Sequence, residues 1–187
     1  MSLLSGIVKL FAKNINKKEN KEVSASVNSS VIEFPYNGLK NGDLINIKLF
    51  GKEKQVEVIC TGDNQFDKNG NYKKDGFLFT EKEIDLLKWL VSEINIEDYS
   101  DDIKKYCIVL YQDMSMESDE DFSFDISEEI DITSIAINVS DISESNDGLV
   151  YPEISFYGSC LCDFDNGICI GFRDKKFIGV RGQDWTL

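Results

Sequence analysis

Histidine is missing from the chain altogether. That absence excludes Ser-His-Asp and Cys-His nucleophilic catalysis, and every zinc or iron site that needs an imidazole ligand. It also removes the commonest general base near neutral pH. Recognisable phosphate and nucleophile motifs are missing too: there is no G-x-G-x-x-G, no Walker loop and no G-x-S-x-G. Gly158-Ser159-Cys160 lacks the elbow pattern and falls inside a predicted strand. No apolar run approaches the roughly 20 residues of a membrane span. The chemistries left open are carboxylate pairs, lysine, oxygen-ligated metals and an all-cysteine metal site.

Positive charge is also in short supply. Lys and Arg total 20 against 34 Asp and Glu, a formal net charge of −14. Such a chain repels nucleic acid and anionic lipid, and an electrostatically steered partner should be basic. The bland alternative is that the acidity only maintains solubility. Cysteine occurs five times, an odd count. With no basic, cleavable secretory start, it reads as reduced thiols in a cytoplasmic protein.

What is present suits a folded domain: 187 residues, 42% hydrophobic and 11% aromatic. A chain of that length can bury roughly 70% of its unfolded surface without staples. Two divisions are expected. Residues 1–30 read as an N-terminal amphipathic helix and a polar linker. Leu3, Leu4, Ile7, Leu10 and Phe11 recur at helical spacing, and Lys13, Lys17, Lys18 and Lys21 follow. That helix is expected to dock on its own domain or on a partner, with membrane contact through the same five apolar residues as the lesser alternative.

Residues 31–187 read as a single α+β domain. Ile45–Phe50 and Gln55–Cys60 alternate apolar and polar around Gly51-Lys52, a β-hairpin. Thr80-Glu81-Lys82-Glu83 is a capping box ahead of a helix whose inner face carries Ile84, Leu87, Val91 and Ile94. Ser100 is a candidate cap for a second helix with Ile103, Tyr106, Cys107, Leu110 and Tyr111 on one face. Ser127–Ile130 suggests a short helical turn, and Ser134–Val139 a β-branched strand. The last third reads as a meander: Glu153–Phe164, Ile168–Phe172 and Phe177–Val180. The expected fold is therefore an antiparallel sheet, built from the N-terminal hairpin and the C-terminal meander and packed with two central helices.

Three constellations invite a site. Cys160-x-Cys162 and Cys169 suggest a metal, but the spacing is not that of a zinc knuckle. A three-residue turn at Asp165-Asn166-Gly167 would pair Phe164 with Ile168. It would place Cys160, Cys162, Phe164, Ile168, Ile170 and Phe172 on one apolar face and Cys169 on the other. Buried free cysteines are then ordinary small hydrophobes, and no metal or cofactor is assigned. Asp67-Lys68-Asn69-Gly70-Asn71 has the look of a calcium loop, yet neither EF-hand frame supplies both end ligands. Asp, Asn and Gly are also plain turn formers. Glu117, Asp119, Glu120 and Asp121 concentrate acidity before the sheet and are candidate partner-binding residues, as is Trp185. The acidic run otherwise reads as a solvated stretch, and Trp185 as an anchor of the tail on the sheet. Trp89 is assigned to the core.

The segment Gly171-Phe172-Arg173-Asp174-Lys175-Lys176-Phe177-Ile178-Gly179-Val180-Arg181-Gly182-Gln183-Asp184-Trp185 resembles the end of a bacterial domain-of-unknown-function family. In that family a glycine-led strand, a short turn, a β-branched strand and a Gln-Asp pair close a meander. The hairpin around Phe50-Gly51-Lys52-Glu53, followed by two helices, is similar as well. The family turn carries Gly where this chain has Asp174-Lys175. The resemblance implies an immunity-like or accessory protein and transfers no catalytic residue. The sequence thus points to a non-catalytic acidic protein-binding module, neutralising or docking a basic partner protein. The alternatives are an enzyme using carboxylates or an oxygen-ligated metal, and a structural accessory subunit docked through its N-terminal helix.

Overall fold

A computed structural model describes residues 36, 38–61, 65–67, 69–71, 73, 76–113, 124–139 and 148–186. All of them lie in the unit Phe34–Leu187. The expected N-terminal helix with Leu3, Leu4, Ile7, Leu10 and Phe11, its linker, and the acidic run Glu117, Asp119, Glu120 and Asp121 lie outside the described residues.

Six strands form one sheet in chain order: β1 (Leu44–Leu49), β2 (Lys52–Cys60), β3 (Ile130–Ile137), β4 (Ile154–Cys160), β5 (Asp163–Arg173) and β6 (Lys176–Arg181). The fold is α+β, as the order of strands, helices and strands implies. Neighbouring strands are antiparallel with one exception: β2 and β3 run parallel. Parallel neighbours require a crossover. Here it carries α1 (Glu81–Glu93), a 3₁₀ turn (Ile96–Tyr99), α2 (Ser100–Asp113) and the one-turn α3 (Ile126–Glu129).

Local chemistry accounts for most boundaries. The β1–β2 hairpin turns on Phe50 and Gly51, both with positive φ (50° and 71°), as a two-residue primed turn demands. Thr80 and Glu83 close the capping box: the Thr80 N–H donates to Glu83 Oε2 at 2.6 Å, and the Glu83 N–H to Thr80 Oγ1 at 3.4 Å. The start of α2 differs from expectation. Ser100 is the first helical residue rather than a cap, because the preceding 3₁₀ turn feeds straight into it and Asn95 caps that turn. The β5–β6 turn takes two non-glycine residues, Asp174 and Lys175, at φ 49° and 57°.

Alternation sets the core. Ile45, Ile47 and Leu49 of β1 join Val56, Val58 and Cys60 of β2 on the buried face, while Leu44, Asn46 and Lys48 face outward. Leu87 and Leu90 of α1, and Ile103 and Cys107 of α2, are fully buried. Phe172 is ringed by Trp89, Tyr99, Phe156 and Phe177, with ring centroids 5.5 to 6.2 Å away. Trp89 is therefore packed against the core, as expected.

The β4–β5 connection departs from the expected register. The strand expected to run to Phe164 ends at Cys160, and the chain reverses at Leu161-Cys162. Cys160 pairs with Asp163, and Gly158 with Ile168, so residues 164–167 form an extra bulge in β5. Asp165-Asn166-Gly167 therefore does not make the hairpin turn. Asp163 captures this segment instead: Oδ1 accepts from the Asn166 N–H at 3.0 Å and from its Nδ2 at 3.1 Å. Phe164, expected in the core, is consequently 81% exposed. Cys160, Ile168, Ile170 and Phe172 keep the expected apolar face. Cys169 alternates to the opposite face, beside Ser155 and Asp184.

Candidate functional site

The shifted turn has a chemical consequence. By reversing at Leu161-Cys162 it carries the Cys162 thiol back toward Cys160. The end of α3 supplies Glu129 to the same spot, and the buried face of α2 supplies Cys107. The thiol sulfurs of Cys107, Cys160 and Cys162 and a Glu129 carboxylate oxygen all lie within 4.8 Å of one another, and all four residues are buried. Cys107 Sγ is 3.6 Å from Cys160 Sγ, and Cys160 Sγ is 4.0 Å from Glu129 Oε1. The Leu161 N–H donates to the Glu129 carbonyl at 3.0 Å, which ties the turn to the end of α3.

Neighbouring tyrosines on α2 reach this end of the sheet. Tyr111, one turn beyond Cys107 on α2, donates its hydroxyl to Glu129 Oε1 at 2.6 Å. The next tyrosine on that face, Tyr106, donates to Asp163 Oδ2 at 3.4 Å. Gly158 makes the close approach possible. A Cβ there would stand 2.2 Å from the Asp131 carbonyl oxygen, so only glycine lets β4 lie against β3 at this level.

The electrostatics follow from burial and from who donates to whom. Cys160 is held far below the usual thiol range. The thiols of Cys107 and Cys162 hydrogen-bond to it, and the backbone groups of Cys162 and Asp163 add to the effect. Cys107 is pushed well above that range by its hydrogen bonds with Cys160 and Cys162 and by burial. Burial raises Glu129 above its ordinary value, partly opposed by the Tyr111 hydroxyl.

The remaining sequence candidates fall elsewhere. Trp185 is 4% exposed. Its Nε1–H donates to the Val150 carbonyl at 2.8 Å, and a Cβ on Gly171 would stand 2.7 Å from its ring. It anchors the C-terminal turn on the sheet and presents almost no surface to a partner. Asp67 is half-buried, and its own loop occupies its carboxylate: Oδ1 accepts from the N–H of Asn69 at 2.8 Å and of Asn71 at 2.9 Å. Those two backbone bonds, Asn71 first, hold its carboxyl below the usual range.

A cavity of about 360 Å³ is lined by Tyr106, Tyr151, Val180, Arg181, Asp184 and Trp185 among others, with Asp184 its single carboxylate. Sequence reasoning missed Glu129, Cys107 and Tyr111 as members of one site. Their places on apolar or capping positions were visible, but nothing in the spacing linked residue 107 to residue 160. Among the described residues no helix is long and apolar enough to cross a membrane. We found no family model, curated protein or solved structure that matches this chain.

Proposed function

We propose that this protein is a non-catalytic acidic binding module that docks a basic partner protein, in the manner of an immunity or accessory protein. The observation that carries the reading is Phe164. It is a large aromatic side chain, 81% exposed at the bulge of β5 between Asp163 and Asp165, on a chain of net charge −14. Exposed aromatics ringed by charge are the usual anchors of protein interfaces: the ring supplies buried area, and the carboxylates supply steering and register. Leu161, at the adjoining turn, is 48% exposed and extends the apolar tip. The bulge stands on a buried cluster and is tied down by the Asp163–Asn166 bonds, so the tip is presented with little ordering cost. A carboxylate-based enzyme is the second reading: the cavity beside Trp185 contributes one carboxylate, and a cavity of about 350 Å³ is lined by two, Glu81 and Asp85, of which Asp85 already pairs with Lys88 at 3.8 Å.

The test uses the full chain and its Phe164→Ser variant, immobilised in parallel and exposed to lysate of the native cells, with bound proteins quantified by mass spectrometry. A protein of basic isoelectric point should be retained by the parent and lost on the variant. Its purified form should associate faster at low ionic strength, with an on-rate that falls several-fold as screening rises. Equal retention by both chains, an on-rate indifferent to salt, or turnover of a substrate by the purified protein would overturn the reading.

A further inference from the structure

We propose that Cys107, Glu129, Cys160 and Cys162 form a closed, structural binding site for one zinc ion, which fastens α2 and α3 to the β4–β5 turn. This inference stands apart from the binding role above, and neither depends on the other.

The donor set is the first reason. Four protein ligands, three of them sulfur, are what a tetrahedral structural zinc site uses, and a carboxylate is an accepted fourth ligand at about 2.0–2.2 Å. A chain without histidine has no imidazole to offer, so sulfur and carboxylate are the only such donors available. The distances are the second reason. A tetrahedron with zinc–sulfur bonds of about 2.3 Å has sulfur–sulfur edges of about 3.8 Å. The Cys107–Cys160 separation of 3.6 Å already matches such an edge, and the Cys160–Glu129 separation of 4.0 Å is within about 0.5 Å of the sulfur–oxygen edge. Since no pair of donor atoms is more than 4.8 Å apart, closing the rest needs shifts of about 1 Å, within the reach of side-chain rotation.

The surroundings are the third reason. Tyr111 donates to Glu129 at 2.6 Å, the kind of outer partner that fixes a ligating carboxylate. All four ligands are buried, so no coordination position opens to solvent, which distinguishes a structural zinc from a catalytic one. The ligands come from α2, the end of α3, the end of β4 and the turn after it. A metal there would close loops of about 20 and 30 residues and stabilise the fold by linking elements distant in sequence.

Binding balances in protons: zinc entering displaces the thiol and carboxyl protons to solvent, and affinity should therefore weaken as pH falls. The reduced, metal-stripped full chain is titrated with zinc and with cobalt(II). About one metal per chain should bind, the melting temperature should rise, and cobalt should give tetrahedral ligand-field bands with intense thiolate-to-cobalt charge transfer. Cys160→Ser and Cys107→Ser should lose the charge-transfer band, and Cys169→Ser should keep it. Tyr111→Phe, which removes a positioning residue rather than a ligand, should weaken affinity about 10-fold while leaving the band shape unchanged.

The parent chain alone decides the matter even if a cysteine variant does not fold. Excess cobalt that produces no thiolate charge transfer would overturn the proposal. So would a Cys107–Cys160 disulfide in the protein as isolated from a reducing cytosol, or a Cys169→Ser variant that loses metal as completely as Cys160→Ser.

Discussion

The Asp67 loop and the Cys160-Leu161-Cys162 turn both suggest cation binding by sequence, and the fold treats them in opposite ways. Asp67 lies on the surface, and the backbone N–H groups two and four residues later take up its carboxylate. Its donor capacity is spent on the loop. The two cysteines lie at the end of a strand that β3 and β5 flank. There they meet a third cysteine 53 residues upstream and a glutamate from a one-turn helix. A contiguous string of oxygen donors folds onto itself, whereas donors drawn from four elements converge because the surrounding packing places them. The comparison teaches that donor spacing along a chain is a poor guide to a site unless something else prevents local satisfaction.

The largest test of this contrast is a pair of glycine substitutions. Gly158→Ala would press a methyl group against the Asp131 backbone, with contacts of 2.2 to 2.7 Å. It should cost about 3 kcal/mol or more in urea unfolding and separate Cys160 from its neighbours. Gly70→Ala meets nothing within 4 Å and strains only its φ of +78°, so the cost should be about 1 kcal/mol. Equal losses would erase the distinction between a packed site and a surface loop.

A smaller effect is expected from Tyr111→Phe. It deprives a buried carboxyl of its hydroxyl donor and should destabilise the metal-free chain by about 1–3 kcal/mol. Glu129→Gln in the same background should recover part of that loss, because an amide needs no charge stabilisation; a double-mutant cycle with no coupling would count against the contact.

The smallest effect concerns Asp67. Millimolar calcium should leave the melting temperature unchanged, since the carboxylate is already engaged; a saturable rise would restore the calcium reading. Its carboxyl is held below the usual range in the folded loop. The contribution of that loop is therefore present above the unfolded pKa and lost as pH falls through the depressed folded value. The Asn69 and Asn71 amide resonances should shift together over that acid window and nowhere near neutrality.

The hairpin around Gly51, the Thr80–Glu83 box and the helical faces through Leu87 and Cys107 were all readable in advance. Each depends on a period of 2 or 3.6 residues or on a hydrogen bond within a few positions. The Asp165-Asn166-Gly167 turn was the misleading signal. Its residues have turn chemistry, but Asp163 and Gln183 put it to another use: Gln183 Nε2 donates to the Gly158 carbonyl at 2.7 Å and takes the space beside Gly167, where a Cβ would stand 2.6 Å from that nitrogen. A partner 16 residues away in the chain decided the register.

The sequence by itself determined the class of fold, the acidity and the chemistries that a chain without histidine must forgo, because composition and short periods carry that information directly. Only the tertiary structure decided that β2 and β3 lie parallel, that the chain reverses at Leu161-Cys162, and that Cys107, Glu129, Cys160 and Cys162 face one another. Those outcomes depend on contacts between residues far apart in the chain. Such contacts are won by packing the whole core at once, and no local preference of Cys, Glu or Gly encodes them.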